Sequence, residues 1–233
     1  MNLTGVFINS GCVFFAGILG SLFKKGLSEK VKDTLMVGLG LCVLYIGMSG
    51  ISTDINTITL VLSVSLGAFA GELIDIDERL NQFGSFVQNK FPVKDEHIAD
   101  GFISSTLFVC VGAMSIVGGI ESGTQGTYQV FLAKTFIDSI VIFVMSATKG
   151  IGCCLSAFVA LIYQTLITVS AGGIAQIISD LAITQMSVVG SLVIVGIALN
   201  LMNITKIKIG NFILCPFIPA FFGIGGEMIE LVF

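Results

Sequence analysis

The sequence predicts an all-α fold, a polytopic membrane helix bundle of about eight spans. Three observations carry that expectation. Of the 233 residues, 55% are hydrophobic and 11% charged, with no Trp, and the mean hydropathy of +1.01 lies far outside the range of a soluble domain. The apolar residues fall in runs of about 18 or more, long enough to cross roughly 30 Å of hydrocarbon as helices. The basic residues cluster in every second loop between those runs, as cytoplasmic loops do.

Taken in order, the runs are 3–23, 34–52, 57–76, 102–120, 129–147, 151–170, 187–204 and 210–231. The first has no basic residue before it and Lys24 and Lys25 after it, the reverse of a secretory signal, so it reads as a retained span with its N-terminus outside. Pro216 and Pro219 interrupt the last run and favour a broken span there. Lys24, Lys25, Lys30 and Lys32 follow the first run, Arg79, Lys90 and Lys94 the third, Lys149 the fifth, and Lys206 and Lys208 the seventh. The other loops carry no Lys or Arg, so both termini are expected outside.

Two connections have further character. The stretch 76–100 is too polar to span, and Leu80, Phe83, Phe86 and Val87 recur at helical spacing, which predicts a cytoplasmic amphipathic connector at the membrane surface. On the outer side GGIAQIISDLAITQ reads equally as a re-entrant helix after Gly172 and Gly173 or as an ordinary loop.

The whole chain, 1–233, reads as a single transmembrane domain with hints of internal duplication. The third run ends LGAFAGELIDI and the eighth FFGIGGEMIEL, while the second and seventh share a Gly-rich apolar pattern. An offset of five spans reverses orientation, suggesting inverted repeats over 1–76 and 151–231. Chance likeness between Gly-rich helices is the competing account.

Chemistry concentrates in few residues. Lys134 and Asp138 stand four apart inside the fifth run and share a helix face. A charge at mid-bilayer costs about 2.5–3.5 kcal/mol on insertion scales, so such residues mark pathways or lock helices together. Glu72 and Glu227 each follow a glycine near opposite mouths of the bundle and would be equivalent in a repeat. Gln164 and Asn200 are amides within spans and candidate contributors to a polar site, while Asn9 and Ser10 read as interhelical hydrogen-bonding groups. Gly67 with Gly71, and more loosely Gly38 with Cys42, have the spacing of close helix packing.

Six cysteines inside apolar runs, without CxxC spacing, read as packing thiols, and His97 stands alone in a polar loop. No metal or other cofactor is expected. Hydrolase, nucleotide-binding and zinc motifs are absent from the sequence, so no enzyme activity is expected, and scattered basic residues exclude a nucleic-acid surface.

The segments GLGLCVLYIGM (38–48), GELIDIDERLNQFG (71–84), FISSTLFVCVGAMSIVGGIESG (102–123), KTFIDSI (134–140) and KGIGCCLSAFVALIYQ (149–164) resemble the YqgA-type family of bacterial inner-membrane proteins, a domain of unknown function. The likeness spans nearly the whole chain, and the VGAM core and the Lys-x-x-x-Asp pair are its most specific parts. Ser139 and Thr165 stand where the family pattern usually has Gly, swaps that keep small or polar character. The resemblance implies a multi-pass protein of the bacterial cytoplasmic (inner) membrane and supplies no substrate.

The expected function is a small secondary transporter or channel-like permease for an ion or small polar solute. Its site would be Lys134 and Asp138 with Gln164 and Asn200, and with Glu72 and Glu227 as gates. The alternative is a non-transporting scaffold or sensor recruiting a partner through 76–100. Expected partners are the lipid bilayer and an unidentified ion or solute, and the glycine-rich faces are compatible with a homodimer.

Overall fold

Apolar runs in a medium that offers no hydrogen bonds close their backbone groups internally, and the chain does so entirely with helices among the described residues. The computed structural model describes residues 1–51, 56–79, 82, 98–111, 113–177 and 179–223. Its helices are α1 (Thr4–Phe23), α2 (Glu29–Ser49), α3 (Thr57–Ile74), α4 (Ile98–Val111), α5 (Ala113–Thr124), α6 (Gln129–Lys149), α7 (Ser156–Ile177), α8 (Asp180–Leu201) and α9 (Ile218–Gly223). Short 3-10 turns occupy Lys24–Gly26, Ile151–Leu155, Ile209–Phe212 and Cys215–Phe217.

Helix ends follow local chemistry. The Asn56 side chain accepts from Ile58 N (2.9 Å) and Ser179 from Ala182 N (3.2 Å), capping α3 and α8. Gly150 ends α6 at φ 101°, a conformation that L side chains rarely adopt.

Among the described residues six helices, α1, α2, α3, α6, α7 and α8, are long and apolar enough to cross a membrane, and α4 with α5 make a seventh if counted as one bent span. The expected eight are not obtained. The run at 102–120 divides into two helices whose axes differ by 52°. Ser115 Oγ, beyond the break, donates to the Val109 carbonyl at 3.0 Å and satisfies an acceptor that the broken helix leaves open. The described part of the eighth run, residues 210–223, forms 3-10 turns and α9, with Pro216 and Pro219 withholding backbone donors; residues 224–233 lie outside the described residues. Between the sixth and seventh runs, α7 continues through Gly172 and Gly173 to Ile177 and α8 starts at Asp180, so no separate re-entrant helix intervenes among the described residues. Most of the 76–100 connector falls outside the described residues.

Glycines set the packing. Gly20 of α1 lies against the Phe143 carbonyl and Ser146 of α6, and Ser146 Oγ donates to Gly17 O at 2.5 Å. On α2, Gly40 meets Ala198 of α8 and Met202 just past its end, and Gly47 meets Ser191 and Val195. Gly119 and Gly123 bring α5 onto Thr168 and Ala171 of α7. Gly67 and Gly71 bring α3 against Cys215 and Asn211. Small residues let backbones approach, and dispersion replaces the hydrophobic effect that lipid does not supply. Gly38 departs from the expectation: nothing packs on it, and with Cys42 it lines an apolar groove of ≈ 370 Å³ between α2 and α6.

The loops after α1, α6 and α8 meet at one end, where Lys32, Lys149 and Lys206 line one cavity. Asn2 at the N-terminus reaches the other end, bonding to Ser122 O (2.9 Å) and Gly126 O (3.0 Å). The outward faces carry Phe7, Phe15, Phe136, Ile140, Phe158 and Ile162, an apolar surface suited to lipid.

Candidate functional site: a buried ion pair in the bundle core

Spacing on α6 puts Lys134 and Asp138 one turn apart, and α1 above all, with α2, α4 and α5, packs on α6 around them. Lys134 Nζ lies 2.7 Å from Asp138 Oδ2, with the side chains only 4% and 2% exposed. At 1.5 Å per residue, Asp138 stands roughly 14 Å into its helix, near the middle of the hydrocarbon.

Neighbouring helices complete a polar cluster. Asn9 Nδ2 on α1 donates to Asp138 Oδ2 (3.1 Å) and approaches Thr135 Oγ1 (3.4 Å). Gln164 Nε2 on α7 donates to Asn9 Oδ1 (2.9 Å), and Thr135 Oγ1 gives its own proton to Phe131 O (2.7 Å). An ionised carboxylate only accepts, so it fixes the direction of this chain: Asn9 presents its amine end to Asp138, and Gln164 presents its amine end to Asn9. The chain ends on Gln164 Oε1, which is buried and has no hydrogen-bond partner among the described residues. Thr168 Oγ1, one turn further on α7, is likewise buried and unpartnered. The Cys110 thiol, at the last turn of α4 beside the break, lies in the electrostatic field of Lys134 and Asp138.

A second feature lies at the basic end. A cavity of ≈ 490 Å³ has Lys32, Asp33, Asp100, Lys149 and Lys206 on its walls, and Leu107, Met36 and Ile197 among its apolar lining. Lys149 bridges Asp100 (3.0 Å) and Ser104 (2.8 Å) on this wall. Leu107 is one helical turn from Cys110, and α6 places buried Val141, Ile142 and Met145 between Asp138 and the cavity-lining Thr148. Ten residues of helix, roughly 15 Å, therefore separate cavity from ion pair along α6.

Of the expected site residues, the fold brings Lys134, Asp138 and Gln164 together. Asn200 is elsewhere: its amide donates to Ile207 O (2.7 Å) and accepts from Thr205 (2.7 Å) and Ile207 N (3.0 Å), holding the turn after α8 at the rim of the cavity. Glu72 is also at that end, exposed, with Lys208 Nζ at 3.3 Å and Asn211 Nδ2 at 2.5 Å. The hydrogen bond to Glu72, then its charge and those of Asp75 and Asp77, raise the Lys208 pKa. Glu227 lies outside the described residues. Asn9 and Thr135 enter the site although the sequence singled out neither as a site residue. An amide at the seventh residue of the apolar run 3–23 was the available signal for Asn9.

Six uninterrupted spans, a bent pair and a desolvated ion pair in their midst define a multi-pass helical membrane protein with a polar centre. The chain belongs to the family described as "Protein of unknown function (DUF554)", matched over residues 4–224. It is similar to the "Uncharacterized membrane protein YdfK" of Bacillus subtilis (strain 168), 27% identical over 219 residues covering 92% of this chain and 93% of that one. It is also similar to the "Uncharacterized protein YqgA" of Escherichia coli (strain K12), 25% identical over 215 residues, 90% and 91% of the two chains. No solved structure matches it significantly.

Proposed function

We propose that this chain is a small secondary transporter, or a channel-like permease, moving an ion or small polar solute across the bacterial cytoplasmic membrane without chemistry on its cargo. The carrying observation is the Lys134–Asp138 pair, 2.7 Å apart and almost fully buried at the centre of a span. A buried pair is commonly no more stable than well-packed apolar residues of the same volume, so packing alone leaves its presence unaccounted for. Ionisable groups at this depth characteristically serve pathways and relays.

Three features support the reading. The two helices that flank the break, α4 and α5, both pack on α6, which carries the pair, and interrupted helices recur where transporters bind cargo. The cavity at the basic end supplies an aqueous approach from the side the positive-inside rule assigns to the cytoplasm, with Glu72 and Asn200 near its mouth. The spans likened in sequence also pair in space: α2 packs on α8, and α3 packs on the 209–217 segment, as elements around an inverted-repeat axis would. The same charge rule puts the N-terminus outside.

The test is ligand-dependent thermal stability of purified protein, screened against cations, anions, amino acids and small organic acids, with Lys134→Met/Asp138→Leu as comparison. A ligand at a hundred times its dissociation constant adds about 2.7 kcal/mol to the folded state. Stabilisation of the native chain and not of the double variant supports a site at the pair. Absence of any response, with the double variant melting as high as native or higher, removes the basis for transport.

A further inference from the structure

The groups gathered around Asp138 Oδ2, which holds the Lys134 ammonium at 2.7 Å, are oxygens or amides that can present one. Asn9 Nδ2 sits 3.1 Å from Asp138 Oδ2 and 3.4 Å from Thr135 Oγ1, so the amide of Asn9 already occupies a point that two oxygens face. Thr135 spends its own proton on Phe131 O, which leaves its lone pairs directed away from its helix. Gln164 Oε1 is a fully buried acceptor with no donor.

We propose that Asp138, Asn9 and Thr135 form a binding site for a dehydrated monovalent cation, and that this cation and the proton on Lys134 exclude each other. The inference rests on reading the pair as a transport site and names the cargo class. Hard cations take oxygen ligands, and one carboxylate balances one positive charge; a divalent ion would need more carboxylates than Asp138 alone provides. The two amides supply the means of exchange. While Lys134 is charged, Asn9 gives its amine end to Asp138 and Gln164 Oε1 is left over. If both amides turn end for end, Asn9 Oδ1 faces the cation and Asn9 Nδ2 donates to Gln164 Oε1. The unpaired acceptor of one state is the required acceptor of the other.

Charge decides the stoichiometry. Two unit positive charges a few ångströms apart repel strongly at the effective dielectric of a protein interior. The cation therefore enters as Lys134 passes from its ammonium form to the neutral amine, releasing one proton to water. The site then holds one cation and one carboxylate, with the same zero net charge as before. Transport by this route exchanges one cation for one proton and moves no net charge.

The experiment adds the chlorides of sodium, potassium and lithium, with choline chloride as control, to purified native protein in weak buffer with a pH-sensitive dye, and follows melting in parallel. The expected result is release of one proton per protein by at least one small cation and none by choline, with apparent affinity falling about tenfold per pH unit on the acid side. Lys134→Met should bind the same cation without proton release and without that pH dependence, and Asp138→Asn should bind none. Should Lys134→Met fail to fold, proton release by the native chain decides alone. Cation binding without proton release overturns mutual exclusion. Stabilisation of native protein, and not of Lys134→Met/Asp138→Leu, only by an anion or an organic solute overturns the cation site and leaves the transport reading standing. No response to any solute overturns both.

Discussion

Removing Lys134 alone should destabilise the protein far more than removing Lys134 and Asp138 together. At 2.7 Å the pair attracts by about 6 kcal/mol at an effective dielectric of about 20. Both groups are stripped of water to do so, and that cost offsets most of the attraction. Lys134→Met leaves the Asp138 carboxyl buried without its counter-charge, with the Asn9 amide as its remaining hydrogen-bond donor, and losses of about 3–5 kcal/mol are typical of such changes. For a chain of this size the melting temperature should fall by about 10 °C. Lys134→Met/Asp138→Leu removes both desolvated charges and should melt close to or above the native chain. A fluorogenic thiol reagent reads this once the exposed Cys12 and Cys42 are replaced by Ala in all three proteins, because Cys110, Cys153, Cys154 and Cys215 are buried and react on unfolding. The measurement belongs in choline chloride, where no small cation replaces the missing ammonium. If Lys134→Met melts within about 1 kcal/mol of native, or if the double variant is the least stable of the three, the pair is not the desolvated unit described.

Three more expectations follow from particular contacts. A Cβ on Gly71 would overlap the Asn211 carbonyl, so Gly71→Ala should cost about 1–3 kcal/mol and loosen α3 from the 209–212 turn, read as faster proteolysis there. Ser115→Ala strands the buried Val109 carbonyl at the break and should cost about 1–3 kcal/mol, whereas Ser115→Thr, which keeps the hydroxyl, should cost less; equal melting of the two would count against the bond. Lys208 has a raised pKa, so its contribution is whole below its ordinary value of 10.5 and is lost as pH rises through the folded one. The melting difference between native and Lys208→Met should therefore stay level through neutral pH, close only in the alkaline range, and shrink with salt because the pair is exposed.

The helical kind of the elements and the bounds of several spans were legible in the sequence, though not the number of spans, because bilayer thickness imposes a length and a composition on each. Runs at 3–23, 57–76 and 129–147 became α1, α3 and α6 with ends shifted by two residues or fewer. The gathering of basic loops at one end was legible for the same reason, since charge cannot cross cheaply. The ion pair was legible too, because spacing of four on a helix needs no tertiary contact to bring Lys134 onto Asp138.

What no local rule carried was the partner across the bundle. Both Asn9 and Asn200 are amides in apolar runs, and only helix packing sends one to Asp138 and the other to a turn at the rim of the cavity. The same holds for the 102–120 run, whose hydropathy is that of one span. Its two helices differ by 52° in axis, and Ser115 reaches back to the Val109 carbonyl across the change of direction. Sequence determined which residues enter the membrane, through a transfer energy that each side chain carries with it. Tertiary structure decided which buried polar groups face one another, because a hydrogen bond in hydrocarbon depends on the position of a second helix, and that position is set by where glycines let backbones meet.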